Sequence, residues 1–161
     1  MAAGVQEAQG HGEIDGSTTF NVLIAQPLAP WLSVNAEAEF RLAGQRDRGN
    51  QYRLGLHSDL IDNEKDTVSL DLSAHAGDSK YSQTYFGVTP LQSTSSRFST
   101  YSPDSGIYAY SLTGSWSHAF TPHYSLVTAV HLTRLTGDAG RSPLVQERTG
   151  ATGIVSLNYT F

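Results

Sequence analysis

The sequence predicts an all-β fold, an antiparallel up-and-down transmembrane β-barrel to which this chain contributes about seven to eight strands. Three observations carry that expectation. Apolar and polar residues alternate with period two through most of the 161 residues, the connections between alternating segments are short and long in turn, and the aromatic residues gather near the segment ends. Alternation with a half-apolar pattern is the mark of a strand with two different faces, and in a membrane barrel those faces are lipid and lumen.

The first alternating segment, 17–27, sets Phe20, Val22 and Ile24 on one face. In 31–43, Leu32, Val34, Ala36, Ala38, Phe40 and Leu42 alternate with Ser33, Asn35, Glu37, Glu39 and Arg41, so three charges share a strand face. Segment 51–62 sets Tyr52, Leu54, Leu56 and Leu60 against Arg53, His57 and Asp59. The fourth, read as one long strand over 67–87, sets Val68, Leu70, Leu72, Ala74 and Ala76 against Ser69, Asp71, Ser73 and His75. In 107–120, Tyr108, Tyr110, Leu112, Gly114, Trp116, His118 and Phe120 oppose Ser111, Thr113, Ser115 and Ser117. Segment 123–136 carries Tyr124, Leu126, Val130 and Leu132 opposite His131 and Thr133, with Val127 and Ala129 blurring the pattern. The last, 149–161, alternates Val155, Leu157, Tyr159 and Phe161 with Ser156, Asn158 and Thr160. Most of these reach the 9–11 residues that a tilted membrane strand requires.

Short links at 27–30, 63–66 and 121–123 alternate with longer ones at 44–50, 89–106 and 137–148. Bacterial outer-membrane barrels have short periplasmic turns and longer outer loops, which places Phe161 at the periplasmic edge. Two aromatic girdles follow: Trp31, Phe120, Tyr124, Tyr159 and Phe161 beside the short turns, and Tyr52, Tyr108 and Tyr110 toward the longer loops.

Composition narrows the function. A charged fraction of 16% and a hydrophobic fraction of 39% leave much of the chain to small polar residues and Gly. A net charge of −5 with ten dispersed Lys and Arg gives no footprint for nucleic acid. The absence of cysteine excludes disulfides and thiolate metal sites. No stretch of about 20 apolar residues offers a spanning helix. The N-terminus lacks a basic segment followed by an apolar one, so no signal peptide is expected. With alternating strand direction, 17–27 would run inward from the outside. Residues 1–161 are therefore expected to be one barrel domain, N-terminally truncated and part of a larger barrel, with 1–16 loop-like.

The six His residues invite catalytic or metal readings, His57 with Asp59 and His75 with Asp71 above all. No two His are spaced i, i+2 on a strand as a local metal site would need. Glu37 and Glu39, about 6–7 Å apart by strand rise, could serve as an acid pair beside Arg41. The expectation is instead a lumen network of Glu37, Glu39, Arg41, Arg53, His57, Asp59, Asp71 and His75, whose members satisfy one another. No catalytic, cofactor-binding or metal residue is expected. The Ser-rich loop Ser93–Ser105 contains no Gly-x-Ser-x-Gly elbow and reads as polar surface.

Several segments together resemble the MipA/OmpV family of outer-membrane proteins, also described as MltA-interacting or scaffolding proteins. They are Tyr85-Phe86-Gly87-Val88-Thr89-Pro90 with the Ser-rich loop containing Tyr101, then Ala119-Phe120-Thr121-Pro122-His123-Tyr124-Ser125-Leu126, then Arg134-Leu135-Thr136-Gly137-Asp138-Ala139, then Ser142-Pro143-Leu144-Val145, and the ending Asn158-Tyr159-Thr160-Phe161. The resemblance covers about 85–161, while 12–84 is similar only in pattern. It implies an outer-membrane location and a scaffold for a murein hydrolase and synthase, with lipid as the surrounding partner. A narrow pore or small-molecule entry route is the alternative function, and a barrel enzyme of lipase or protease type a third. A soluble β-sandwich is the rival fold, in which Leu112, Trp116, Leu157 and Tyr159 would point into a core.

Overall fold

The computed structural model describes residues 18–43 and 48–161, without the side chains of 42 and 43; the expected loop at 1–16 lies outside them. Seven strands form one sheet in sequence order: β1 (Thr18–Ala29), β2 (Leu32–Ala43), β3 (Gln51–Asp62), β4 (Asp66–Gly77), β5 (Gly106–Ala119), β6 (Tyr124–Leu135) and β7 (Thr149–Tyr159). Every neighbouring pair is antiparallel. The all-β, up-and-down expectation holds. Among the described residues β1 and β7 do not pair with each other, so the sheet is open.

Two of the short turns are fixed by side chains that stand in for backbone partners. Asn63 Oδ1 accepts from the N–H groups of Lys65 and Asp66, both at 3.0 Å. Thr121 Oγ1 accepts from the N–H groups of His123 and Tyr124 at 3.2 and 3.0 Å. Such local bonds offer the chain a reversal within three residues.

Cross-strand register turns the alternation of each strand into rows that cross the sheet. On one face, Val34, Leu56, Leu72, Leu112 and Leu132 are successive partners from β2 to β6. One residue on, Ser33, His57, Asp71, Thr113 and His131 form the matching row of the opposite face. A slip of one residue in any pairing would exchange the faces, so this register is specified by the pattern itself.

Among the described residues no second layer covers the apolar face. Leu112 is 36% exposed and Leu157 67%, and Trp116 and Tyr159 are exposed as well. The sandwich expectation, which needs these four in a core, is therefore not met. Among the described residues the buried hydrophobic side chains are Tyr81, Val88, Ala109 and Ala139. Three of these lie in or beside the long connections rather than on the sheet's apolar face.

The fourth segment differs from its expectation. The strand ends at Gly77, not at 87, and Ser79–Phe86 forms helix α1. Asp78 Oδ1 accepts from Tyr81 N–H at 2.7 Å, an N-cap that satisfies a donor the first helical turn would leave free. Tyr81 and Tyr85, four residues apart, share a helix face with ring centroids 4.5 Å apart. The loops also contain α2 (Pro90–Thr94), opened by a Thr89–Gln92 capping box, and α3 (Gly137–Arg141). Among the described residues no helix is long and apolar enough to cross a membrane, which says nothing about crossing by strands.

Candidate functional site

The polar face of the sheet and the loop cap above one end of it form the candidate site. The short connections lie at one end of the sheet and the long ones at the other, so β2, β3, β4 and β5 all bring the residues nearest their long loops to the capped end.

At that end four of the expected network residues meet. Arg53 donates to Glu37 at 2.6 Å across β2 and β3. Arg41 donates to one oxygen of Glu39 at 3.1 Å, while Gln51 donates to the other at 2.9 Å. Arg41 also lies beside the Tyr85 phenol of α1. Further along, His57 sits between two carboxylates, 2.8 Å from Asp71 and 3.2 Å from Asp59. The expected network thus divides into two clusters. The pairing of His75 with Asp71 does not form, because cross-strand register sets His57 opposite Asp71; His75 turns instead to Ser111, at 2.8 Å.

The alternation set Ser69, Ser111, Thr113, Ser115, His131 and Thr133 on polar strand faces but outside the expected network, and Gln51 was not singled out. Ser69 and Ser115 bond at 2.7 Å, and His131 bridges Thr113 and Thr133 at 2.8 and 2.7 Å. Register joins Ser69 to Ser115 and Thr113 to His131, while Thr133 lies two residues from His131 on the same strand. Among the described residues no group of three or more His, Cys, Asp or Glu could hold a metal ion.

The cap ties all three long connections together. Asn50 and Asp78 exchange bonds, the Asn50 N–H donating to the Asp78 carboxylate at 2.8 Å and the Asp78 N–H to the Asn50 carbonyl at 3.1 Å. Gly49, at φ +77°, passes so close to α1 that an added Cβ would lie 2.1 Å from Tyr81 N. Val88 and Tyr101 form an antiparallel bridge, and Tyr101 donates to the Asp138 carbonyl at 2.8 Å. Ser142 donates to the Phe86 carbonyl at 2.6 Å. The Asp138 carboxylate receives the Asp104 N–H at 2.9 Å and the Arg141 guanidinium, which together hold it below the usual carboxylate range.

Tyr108 departs from its expected place in the outer girdle. His75 pairs with Ala109 but Ala76 with Ile107, so Tyr108 is the extra residue of a β-bulge. A bulge re-aims its side chain. Tyr108 stands with Tyr81, Phe86 and His75, at centroid distances of 5.1, 5.7 and 6.0 Å, on the polar face rather than beside Tyr110. Tyr81 is buried there, and burial, with the Tyr108 hydrogen bond second, pushes its phenol above the ordinary range.

The other expected girdle residues are surface-exposed at the two ends. Tyr52 lies near Phe40, which stacks on Phe20, and Tyr110 is exposed at the same end. Tyr124, Tyr159 and Phe161 form a continuous aromatic contact at the short-turn end, with Trp31 and Phe120 exposed there too. Sequence alternation also set His118 and Trp116 on the apolar face, where both bond Asp66 Oδ1, at 2.7 and 3.0 Å.

No curated protein and no solved structure matches the chain. A family model described as MltA-interacting protein MipA matches residues 3–161, which extends the resemblance seen in 85–161 over the strands before it. Over nearly its whole length, then, the chain belongs to the MltA-interacting protein MipA family.

Proposed function

We propose that this protein is an outer-membrane β-barrel component that serves as a scaffold, with its short turns on the periplasmic side docking a murein-remodelling enzyme. Family membership supports a scaffolding-type role in the broad sense, and the family's description names interaction with MltA. One structural observation carries the membrane part: the row Val34, Leu56, Leu72, Leu112 and Leu132 runs across five strands with no layer over it among the described residues, while the row beside it on the other face is hydrogen-bonded and polar. In water such a face would be a very large exposed apolar patch, far from what soluble monomers carry. In a bilayer it faces lipid at no cost, and its ends meet the headgroups with aromatics.

The long connections are knitted into a cap, and the short turns leave the opposite rim open for a partner. The packing of Tyr81 on Tyr108 over the polar face weighs against an open channel. In this reading the protein positions other enzymes and is not itself one.

The test has two stages. The chain is refolded in detergent and followed by heat-modifiable gel migration and circular dichroism, and the folded protein is then mixed with a purified lytic transglycosylase. The expected result is a compact, heat-modifiable form that retains the enzyme, with retention lost on replacing Lys65 and His123 of the short turns. Cooperative folding as a monomer in plain buffer would overturn the membrane assignment. A folded chain that binds no murein enzyme would leave a barrel without the docking role.

A further inference from the structure

We propose that the polar face carries, beneath the cap, a binding site for a small zwitterion, a molecule that holds a carboxylate and an ammonium a few ångströms apart as a free amino acid does. The site centres on Arg53 and Glu37.

A cavity of about 210 Å³ lies there, lined by Glu37, Glu39, Gln51, Tyr52, Arg53 and His75. Its charged residues differ in how firmly they are held. The Arg41–Glu39 pair is the more enclosed, at 22% and 21% side-chain exposure, and Glu39 accepts from Arg41 on one oxygen and from Gln51 on the other. Arg53 and Glu37 are more open, at 43% and 35%, and among the described residues their hydrogen bonds run to each other. An ion pair this exposed contributes little to the fold. A guest can part it at small cost and replace one charge-assisted contact with two.

The arrangement selects for both charges at once. A guest carboxylate matches the planar fork of the Arg53 guanidinium, which binds such groups in a bidentate manner. Its ammonium falls to Glu37. A simple anion would meet Glu37 and Glu39, and a simple cation would meet Arg53, so either alone gains one contact and faces one repulsion. The walls limit size. His75 is pinned by Ser111 at 2.8 Å, and Tyr108 leans over His75 and reaches Gln51 at 3.5 Å. Tyr81 stacks on Tyr108 from above. The polar groups around the cavity are thus held in place before a guest arrives, which reduces the ordering cost of binding.

This site is independent of the docking role and would stand if no murein enzyme bound. The test titrates the whole chain with glycine, and separately with ethylamine and with acetate, in the medium in which circular dichroism shows its β-sheet. Isothermal calorimetry reads the binding. The expected result is saturable glycine binding in the millimolar range, with ethylamine and acetate each at least about tenfold weaker, the equivalent of losing one charge-assisted hydrogen bond. Arg53→Gln and Glu37→Gln should each weaken glycine about tenfold or more, while Ser156→Ala on β7 leaves it unchanged. Absence of saturable glycine binding by the folded wild-type chain overturns the proposal. So does equal binding of ethylamine, which would mark a merely acidic surface. The three-ligand comparison decides on the wild-type protein alone, so a variant that fails to fold does not rescue the idea.

Discussion

The Tyr81 hydroxyl donates to the Tyr108 hydroxyl at 3.2 Å, with the two rings stacked 5.1 Å apart, and this contact joins the helix after β4 to the bulge of β5. Burial is the first reason that the Tyr81 phenol stays protonated beyond its ordinary value near 10, and the bond to Tyr108 is the second. When the cap opens, that phenol regains ordinary acidity. Above about pH 10 the open form therefore releases a proton that the closed form retains, and the cap loses stability as pH rises. Hydrogen exchange of the Tyr81 and Val88 amides should accelerate above that pH in the wild type. In Tyr81→Phe the alkaline acceleration should be distinctly smaller, and an unchanged profile would remove Tyr81 as its source.

Asp138 behaves with the opposite sign. The Asp104 N–H and then Arg141 hold its carboxyl below the ordinary value of 3.8, so the contribution is present above that value and is lost as pH falls through the lowered one. Asp138→Ala should release the segment before β5 at neutral pH, exposing the bond after Arg97 to trypsin. The β-sheet circular dichroism should not change, because Asp138 lies in α3 and outside the strands. Cleavage at the wild-type rate would mean that the Tyr101 bond to the Asp138 carbonyl suffices to hold the cap.

The faces of the strands were legible because alternation is a local consequence of the pleat, present in β2 and β5 whatever they pair with. What failed depended on relationships between distant residues. Tyr108 follows Tyr110 in phase, and only the pairing of Ala76 with Ile107 beside that of His75 with Ala109 turns it to the other face. The polar network was legible as residue types but not as partners: Asp71 goes to His57 because β3 and β4 set them opposite, information absent from either strand alone. The overlong fourth strand was a different error. Asp78 at a helix start and the Tyr81–Tyr85 spacing were both visible as helical signals, and the apolar–polar count simply ran past them.

Gly49 tests how closely the cap must approach the sheet. At φ +77° an L side chain is strained, and the added Cβ would meet Tyr81 N at 2.1 Å and the Asp78 carboxylate at 2.3 Å, so neither neighbour can be spared without losing the α1 cap. Gly49→Ala should destabilise the cap by about 1–3 kcal/mol, the scale of strain in a disfavoured backbone region. Amide exchange of α1 should show the loss while the β5–β6 amides remain protected. Equal loosening of both would mean that cap and sheet unfold as one unit.

The two faces make opposite predictions for a single new charge. Leu112 stands mid-row on the apolar face, between Leu72 and Leu132, and Thr152 stands on the polar face opposite His131. If lipid covers the first, Leu112→Arg places a guanidinium near the bilayer midplane and costs about 2–4 kcal/mol. Thr152→Arg adds the same charge where water and polar groups reach it, and should stay within about 0.5 kcal/mol of the wild type, as for ordinary surface changes. Urea unfolding in detergent, read by heat-modifiable migration, measures both. In a water-soluble fold with an uncovered apolar face, Leu112→Arg would instead be neutral or improve solubility, so the sign of its effect in the two solvents identifies what that face touches.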